Sequence, residues 1–99
     1  MKYRLRAAAA RDLDEAAEWY RANAVDHRVA LRFLLEVRAA FETIADAPLA
    51  FPEVHRDIRR CPVHVFPAYS IFYRVVDDVV VITAVFHGSR RPSLWKHRR

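Results

Sequence analysis

Glycine and cysteine are scarce in this chain of 99 residues, which contains one of each. One glycine cannot build the glycine-rich loop that cradles phosphates in nucleotide-binding proteins, so that class of site is excluded. It also excludes long flexible linkers of the glycine-rich kind. The single cysteine, Cys61, cannot form an intrachain disulfide, which is typical of a protein from a reducing compartment.

Long apolar runs are missing as well. None reaches the roughly 18 residues that a membrane-spanning helix needs. The first residues, MKYRLRAAAARDLDE, have a basic start, but their only apolar run is alanine and it meets acidic residues at once. This is unlike a secretory signal. We therefore expect a single-domain cytoplasmic protein that makes no contact with a membrane.

Acidic residues are few in the second half of the chain. Residues 1–53 carry eight Lys or Arg and nine Asp or Glu, a net charge of −1, whereas residues 54–99 carry nine and three, a net charge of +6. A positive field of this kind attracts nucleic acid, the ribosome or an acidic protein. The same charge is also compatible with a surface that only keeps the protein in solution.

The first half of the chain reads as one strand and two helices. KYRLR alternates charged and apolar residues, which predicts a short strand over 2–6. Apolar residues at helical spacing predict helices over 8–21 and 27–45, with Asp26 as the N-cap of the second. Residues 48–57 contain two prolines and are predicted to form a loop.

The second half reads as three strands, over 58–66, 69–76 and 79–86. Pro62 predicts that the first is an edge or bulged strand, and Pro67-Ala68 is predicted to form the turn that follows it. VVVITAVF is apolar on both faces, so the last strand should be central, after a hairpin turn at Asp77-Asp78. The order β-α-α-β-β-β predicts an α+β fold: a helical hairpin packed on a small, mostly antiparallel sheet whose other face is partly open.

Three large apolar side chains fall outside the core stripes of the predicted helices. Trp19 lies about 100° from the Leu13–Tyr20 stripe, and Leu31 and Leu35 flank the stripe of the second helix. They either pack between the two helices or form a surface that binds a partner.

Metal and serine chemistry find little support in the sequence. Cys61 and His64 are three residues apart on a strand, so they point to opposite faces, and the remaining histidines share no ligand-like spacing. The serines lack a nucleophile-elbow context. We expect no metal, no cofactor and no small-molecule substrate.

A basic constellation flanks the predicted strands and consists of Arg59, Arg60, Arg74, His87, Arg90 and Arg91. Arginines stabilise phosphate without a metal, and a histidine moves protons near neutral pH, so metal-free RNA cleavage through the 2′-hydroxyl is one interpretation. The alternative is structural. Arg74 then pairs with Asp77, Asp78 or a helix carboxylate, and His87 only ends a strand.

Three stretches carry a family resemblance: YRLRAAAARDLDEAAEWY, ADAPLAFPEV and AYSIFYRVVDDVVVITAVFHGSRRPSLW. Their order and spacing resemble the ParE/RelE superfamily of toxins from type II toxin–antitoxin modules, and the FHGSR pattern followed by Trp95 favours the ParE-like branch. The resemblance implies the β-α-α-β-β-β fold and a toxin that halts growth until its cognate antitoxin covers it.

The target differs between the branches. ParE-like members poison DNA gyrase, whereas RelE-like members cut mRNA on the ribosome. Ser70 stands where many RelE-like sequences have an arginine, which favours gyrase. In the nuclease alternative, His87 carries the proton and Arg60, Arg74 and Arg90 stabilise phosphate. A third possibility is a non-toxic relative that only binds antitoxin.

The resemblance also suggests which residues meet each partner. Trp19, Leu31 and Leu35 are expected to bind the antitoxin. The target-binding residues are expected to be Arg59, Arg60, Arg74, His87, Arg90, Arg91 and Trp95.

Overall fold

A computed structural model describes all 99 residues and shows one five-stranded sheet in the order β1-β5-β4-β3-β2. Only β1 and β5 are parallel; the other neighbours are antiparallel. The elements are β1 (Lys2–Leu5), α1 (Ala7–Asn23), α2 (Arg28–Asp46), β2 (Glu53–His55), β3 (Ile58–Val63), β4 (Phe66–Val76), β5 (Val79–His87) and α3 (Pro92–Lys96). The predicted fold class, a helical hairpin on a mostly antiparallel sheet, is confirmed.

Both predicted helices are present; α1 is slightly longer than expected, and α2 has the expected length but begins one residue later. Asp26 lies before α2, and its Oδ1 accepts a hydrogen bond of 2.9 Å from the backbone N–H of Arg28, the first residue of the helix. This contact satisfies one of the orphan amides of the first helical turn. Neither helix is long and apolar enough to cross a membrane.

The main core lies between the helices and the sheet. Phe33, Val37 and Ile44 of α2 belong to it, together with the sheet residues Ile71, Tyr73, Ile82 and Val85. The Tyr73 hydroxyl donates a hydrogen bond of 2.6 Å to the Pro48 carbonyl. Burial raises the pKa of Tyr73 to about 12, so this phenol remains a neutral donor.

Two tight turns connect the last three strands. Asp77 and Asp78 have φ of 50° and 62°, the left-handed pair that matches the twist of a two-residue hairpin, so the turn predicted there is confirmed. The turn predicted at Pro67-Ala68 is wrong: β3 ends at Val63, β4 begins at Phe66, and Val65 between them has a φ of 70°.

Pro67 lies inside β4, where a bulge tolerates it. Val63 pairs with Phe66 and Pro62 pairs with Ser70, so residues 67–69 of β4 have no partner on β3. The missing N–H of Pro67 therefore interrupts no ladder hydrogen bond to β3. The register shift lies beside Pro62, where the sequence predicted an edge or bulged strand, but the extra residues belong to β4 rather than to β3.

The structure adds two elements that the sequence did not predict. Glu53–His55, expected to be part of a loop, forms β2 along the outer side of β3. The basic tail contains α3, which begins with Pro92 at a position that favours proline. Trp95 of α3 stacks on Phe72 at 4.3 Å between ring centroids and 14° between ring planes.

This stack closes the centre of the sheet face opposite α1 and α2. Under Trp95 lies a second, smaller core of Ile58, Phe72, Ala84 and Phe86. The face that the sequence predicted to be partly open is thus covered at its centre by α3.

We predict that Trp95→Ala lowers the free energy of unfolding by about 2–4 kcal/mol, because it removes the ring that covers Phe72 and the second core. Urea unfolding would measure the loss. Leu94→Ala is the matched control, because Leu94 is 43% exposed on the same helix and should cost less than about 1 kcal/mol. An unchanged midpoint for Trp95→Ala would show that α3 does not stabilise the sheet.

Candidate functional site

The candidate nuclease residues lie on two different faces of the sheet. Side chains alternate along β4, so Tyr69 faces α1 and α2 whereas Ser70 and Arg74 face α3. The His87 ring contacts Tyr69 edge-on at 5.1 Å between centroids, on the helix side. Arg60 donates a hydrogen bond of 2.9 Å from Nε to Ser70 Oγ, on the α3 side.

Distance along the strands separates His87 from Arg74 as well. His87 is level with Tyr69 and Arg74 is level with Val81. Tyr69 and Arg74 are five residues apart on β4, which corresponds to about 17 Å along the strand. The structure therefore does not bring His87, Arg60 and Arg74 to one point.

Arg59 holds the connection that leads from α2 into the sheet. Its Nη1 donates to the carbonyls of Phe51 at 2.6 Å and Leu49 at 3.3 Å, and its Nη2 lies 3.3 Å from a Glu53 oxygen. The side chain is 19% exposed. This arginine, a candidate for target binding, thus fixes the fold of the loop.

Arg74 is also engaged inside the molecule. Its Nε donates a hydrogen bond of 3.1 Å to Asp57 Oδ2 and its Nη1 donates to the Arg99 carbonyl at 3.1 Å, while Arg99 Nη2 lies 2.8 Å from Asp57 Oδ1. An ion pair for Arg74 was one of the two interpretations from sequence, but its partner is Asp57 rather than Asp77, Asp78 or a helix carboxylate.

Asp57 responds to these two arginines. Burial alone would raise the pKa of its carboxyl group, but hydrogen bonds from Arg74 and Arg99, together with their positive charges, outweigh burial and lower the pKa from its ordinary value. Asp57 is therefore ionised at neutral pH, and two cations share its charge.

A buried carboxylate lies at the open edge of β5. β1 stops at Leu5, level with Ile82, so β5 has no neighbour on that side from residue 83 onward. Asp12 of α1 lies at this unpaired edge. Its Oδ2 accepts a hydrogen bond of 3.0 Å from the Val85 N–H and forms an ion pair with Arg98 Nη1. Asp12 is 8% exposed.

The sequence contained a weak signal for this role of Asp12. It precedes Ala16 by four residues, and Ala16 belongs to the predicted core stripe of α1. A carboxylate on a core-facing stripe requires partners. Arg98, the partner 86 residues away, could not be found from local sequence.

A groove of about 460 Å³ opens between α1 and this edge of β5. His87 Nδ1 accepts the Ser89 backbone N–H at 3.0 Å there, so the ring proton of neutral His87 lies on Nε2. The lining consists of Asp12, Glu15, Ala16, Trp19, Tyr20, Tyr69, Val85, His87, Ser89 and Arg90. The groove thus joins one candidate antitoxin contact, Trp19, with two candidate target contacts, His87 and Arg90.

The three apolar candidates on the helices are exposed. Trp19 is 56% exposed, Leu31 58% and Leu35 53%. The interpretation that Leu31 and Leu35 pack between the two helices is therefore wrong. Trp19 contacts Tyr20 edge-on at 5.2 Å, and more than half of its surface remains available to a partner.

The remaining candidates lie around the start of the tail. Arg91 is exposed, and the Arg90 guanidinium carbon lies 4.6 Å from the centroid of the Phe86 ring. Trp95, expected to contact the target, instead has one ring face committed to Phe72. No group of three or more His, Cys, Asp or Glu side chains is placed to hold a metal ion.

The pKa shift of Asp57 predicts a dependence of stability on pH. A carboxyl group with a pKa lowered by folding stabilises the fold above its unfolded pKa, and this stabilisation disappears as the pH falls through the folded pKa. Asp57→Asn should therefore lower the unfolding free energy at pH 7, and the difference from the unmodified chain should shrink below about pH 4.

Chemical unfolding at a series of pH values would measure this difference. Asp14→Asn is the control, because Asp14 is exposed and outside every ion pair. A difference for Asp57→Asn that is the same at pH 7 and pH 3 would contradict a role for the charge of Asp57.

Comparisons with known proteins agree with this fold. No curated protein matches the chain. A chain described as "Chromosomal ParDE TA system from P. aeruginosa" superposes with a TM-score of 0.74 at 18% sequence identity, covering 88% of this chain and 95% of that chain. The sequence profile described as "ParE toxin of type II toxin-antitoxin system, parDE" matches residues 3–92. Because this match spans most of the sequence, the chain belongs to the ParE toxin family of type II toxin–antitoxin systems.

Proposed function

We propose that this protein arrests growth by binding and inhibiting DNA gyrase, and that a cognate antitoxin neutralises it. Family membership supports the toxin class. One observation favours binding over RNA cleavage. His87 lies on the helix side of the sheet, whereas Arg60 and Arg74 both lie on the α3 side.

RNA cleavage requires groups that meet at one phosphate. A proton carrier and a stabilising cation must both come within hydrogen-bond reach of the reacting atoms. Arg74 is 18% exposed and paired with Asp57, and Arg60 is hydrogen-bonded to Ser70 on the face opposite His87. Only Arg90 shares a groove with His87. This arrangement supports a toxin that acts by binding a target protein rather than by cleaving RNA.

The proposed gyrase-binding surface is narrower than the sequence suggested. Arg59, Arg74 and Trp95 make internal contacts. The other four candidates are exposed: Arg60, His87, Arg90 and Arg91. Arg90 and Arg91 are adjacent and precede α3, so they offer two positive charges in one segment of the surface.

We expect the purified protein to inhibit gyrase supercoiling in the absence of ribosomes. Arg90→Gln/Arg91→Gln should raise the concentration needed for inhibition about tenfold, equivalent to about 1.4 kcal/mol. Arg4→Gln/Arg11→Gln is the control, because it removes the same charge at exposed positions on β1 and α1. Cleavage of translated mRNA with codon periodicity, abolished by His87→Ala, would contradict gyrase as the target.

A chain that neither inhibits gyrase nor arrests growth when induced would instead be a non-toxic relative. In that case antitoxin binding would remain as its activity. The probe for this binding would be the protein encoded by the gene immediately upstream.

For the antitoxin we propose an amphipathic or extended acidic segment that follows the helical hairpin and reaches the basic half of the chain. Trp19, Leu31 and Leu35 offer exposed apolar surface on α1 and α2. Beside Trp19, the groove at the open edge of β5 carries His87 and Arg90, which suit an acidic residue of the partner.

Trp19→Ala should weaken antitoxin binding about 30-fold, because an exposed tryptophan beside a groove is the side chain that most often dominates an interface. Leu31→Ala/Leu35→Ala should weaken it about tenfold. Val25→Ala is the control, since Val25 is an exposed apolar residue that lies in the connection between α1 and α2. Isothermal titration calorimetry would measure all three. If Trp19→Ala and Val25→Ala bind the antitoxin with equal affinity, the proposed contact of the antitoxin with Trp19 is wrong.

A further inference from the structure

We propose that a basic corner of the molecule binds the phosphate backbone of a nucleic-acid duplex. The corner consists of His55 and Arg56 at the β2–β3 turn together with Lys96, His97 and Arg99 at the end of α3. This surface is separate from the groove that contains His87 and Arg90. The proposal goes beyond gyrase inhibition and does not require it.

Two distant segments meet at this corner because Trp95 anchors α3 to the sheet. The Trp95 ring stacks on Phe72, and its edge approaches the His55 ring at 6.5 Å between centroids. Lys96 Nζ lies 6.0 Å from the Trp95 ring centroid. The ion pair of Arg99 with Asp57 fixes the end of the tail beside the turn that carries Arg56.

The charge at this corner is only partly compensated. Asp57 lies in the turn, but it already pairs with both Arg74 and Arg99. The neighbouring charges that act on His55 are all positive and come from Lys96, Arg56, His97 and Arg99. Burial lowers the pKa of His55, and repulsion from these cations lowers it further. An anion would relieve this repulsion.

Arg56 and His97 are exposed, and neither side chain makes a hydrogen bond or ion pair with another residue. Arg56 has a φ of 53°, so it lies at the tip of a tight turn. Arginine and lysine are the residues that contact phosphates in nucleic-acid complexes. The corner therefore presents free donors suited to phosphate oxygens.

The aromatic side chains nearby favour a duplex over an unpaired strand. Proteins that bind single strands stack successive bases on exposed aromatic rings. Here the Trp95 ring is stacked on Phe72, and the Phe86 ring is approached by the guanidinium groups of Arg90 and Arg98, each at 4.6 Å. One face of the Trp95 ring is thus covered by Phe72 and the Phe86 ring is buried, so the corner offers no row of exposed rings on which successive bases could stack.

Fluorescence anisotropy with labelled 20-base-pair duplexes would test the proposal, with DNA and RNA duplexes as separate arms to identify the source of the phosphates. The full chain should bind at least one duplex at 50 mM salt, and binding should weaken as salt rises to 200 mM. Arg56→Gln/Lys96→Gln should lower the affinity about tenfold and reduce the slope of log affinity against log salt by about 2, since each phosphate contact contributes about 0.9.

The control is Arg4→Gln/Arg11→Gln, which removes the same charge at exposed positions on β1 and α1. It should stay within about twofold of the unmodified chain. Lys96→Arg keeps the charge and should keep the affinity. Circular dichroism and the urea midpoint would check that each variant is folded.

Three results would overturn the proposal: no binding to either duplex at 50 mM salt, equal losses in the corner and control variants, or tighter binding to an unpaired oligonucleotide or to polyglutamate than to the duplexes. Because the assay contains no gyrase, failure here leaves gyrase inhibition standing. A failed supercoiling assay likewise leaves this proposal standing.

Discussion

The unpaired edge of β5 is the constraint on which much of the structure depends. Because β1 ends at Leu5, the backbone of β5 beyond Ile82 lacks a strand partner on the side away from β4, and a buried amide without a hydrogen bond is costly. Asp12 accepts the Val85 N–H, and Arg98 then neutralises Asp12 and approaches the Thr83 carbonyl. One carboxylate thereby connects α1, the sheet and the tail, and the same short β1 leaves room for the groove beside α1.

The tail makes the two faces of the sheet chemically different. On one side, α1 and α2 cover the main core, and the groove collects Trp19, His87 and Arg90. On the other side, Trp95 covers a small core, and the tail brings Arg99 to Asp57 beside Arg74. His87 and Arg60, which the sequence pattern grouped in one basic constellation, lie on opposite faces of the sheet. A reaction that needed groups from both faces therefore has no common point at which they meet.

Much of the fold could be predicted from sequence because it rests on periodicity. The helical stripes, the doubly apolar VVVITAVF strand and the Asp77-Asp78 turn are local signals, and the structure confirms each. Helix α3 has only five residues, too few for a periodic pattern, and depends on the contact of Trp95 with Phe72. The turn at Val65 has no local signal, since a β-branched residue rarely adopts positive φ. The partners of Arg59, Arg74 and Asp12 are set by tertiary placement, so no local pattern predicts them.

Net charge alone also gave an incomplete picture of the basic half. Its three acids do not spread their charge evenly: Asp77 and Asp78 form the exposed β4–β5 turn, and Asp57 is shared by Arg74 and Arg99. Some arginines are engaged in ion pairs within the molecule, and others are not. Arg59, Arg74 and Arg98 serve the fold, while Arg56, Arg90 and Arg91 remain exposed at two ends of the sheet. A basic side chain therefore indicates a binding surface only where no carboxylate or carbonyl within the molecule already engages it.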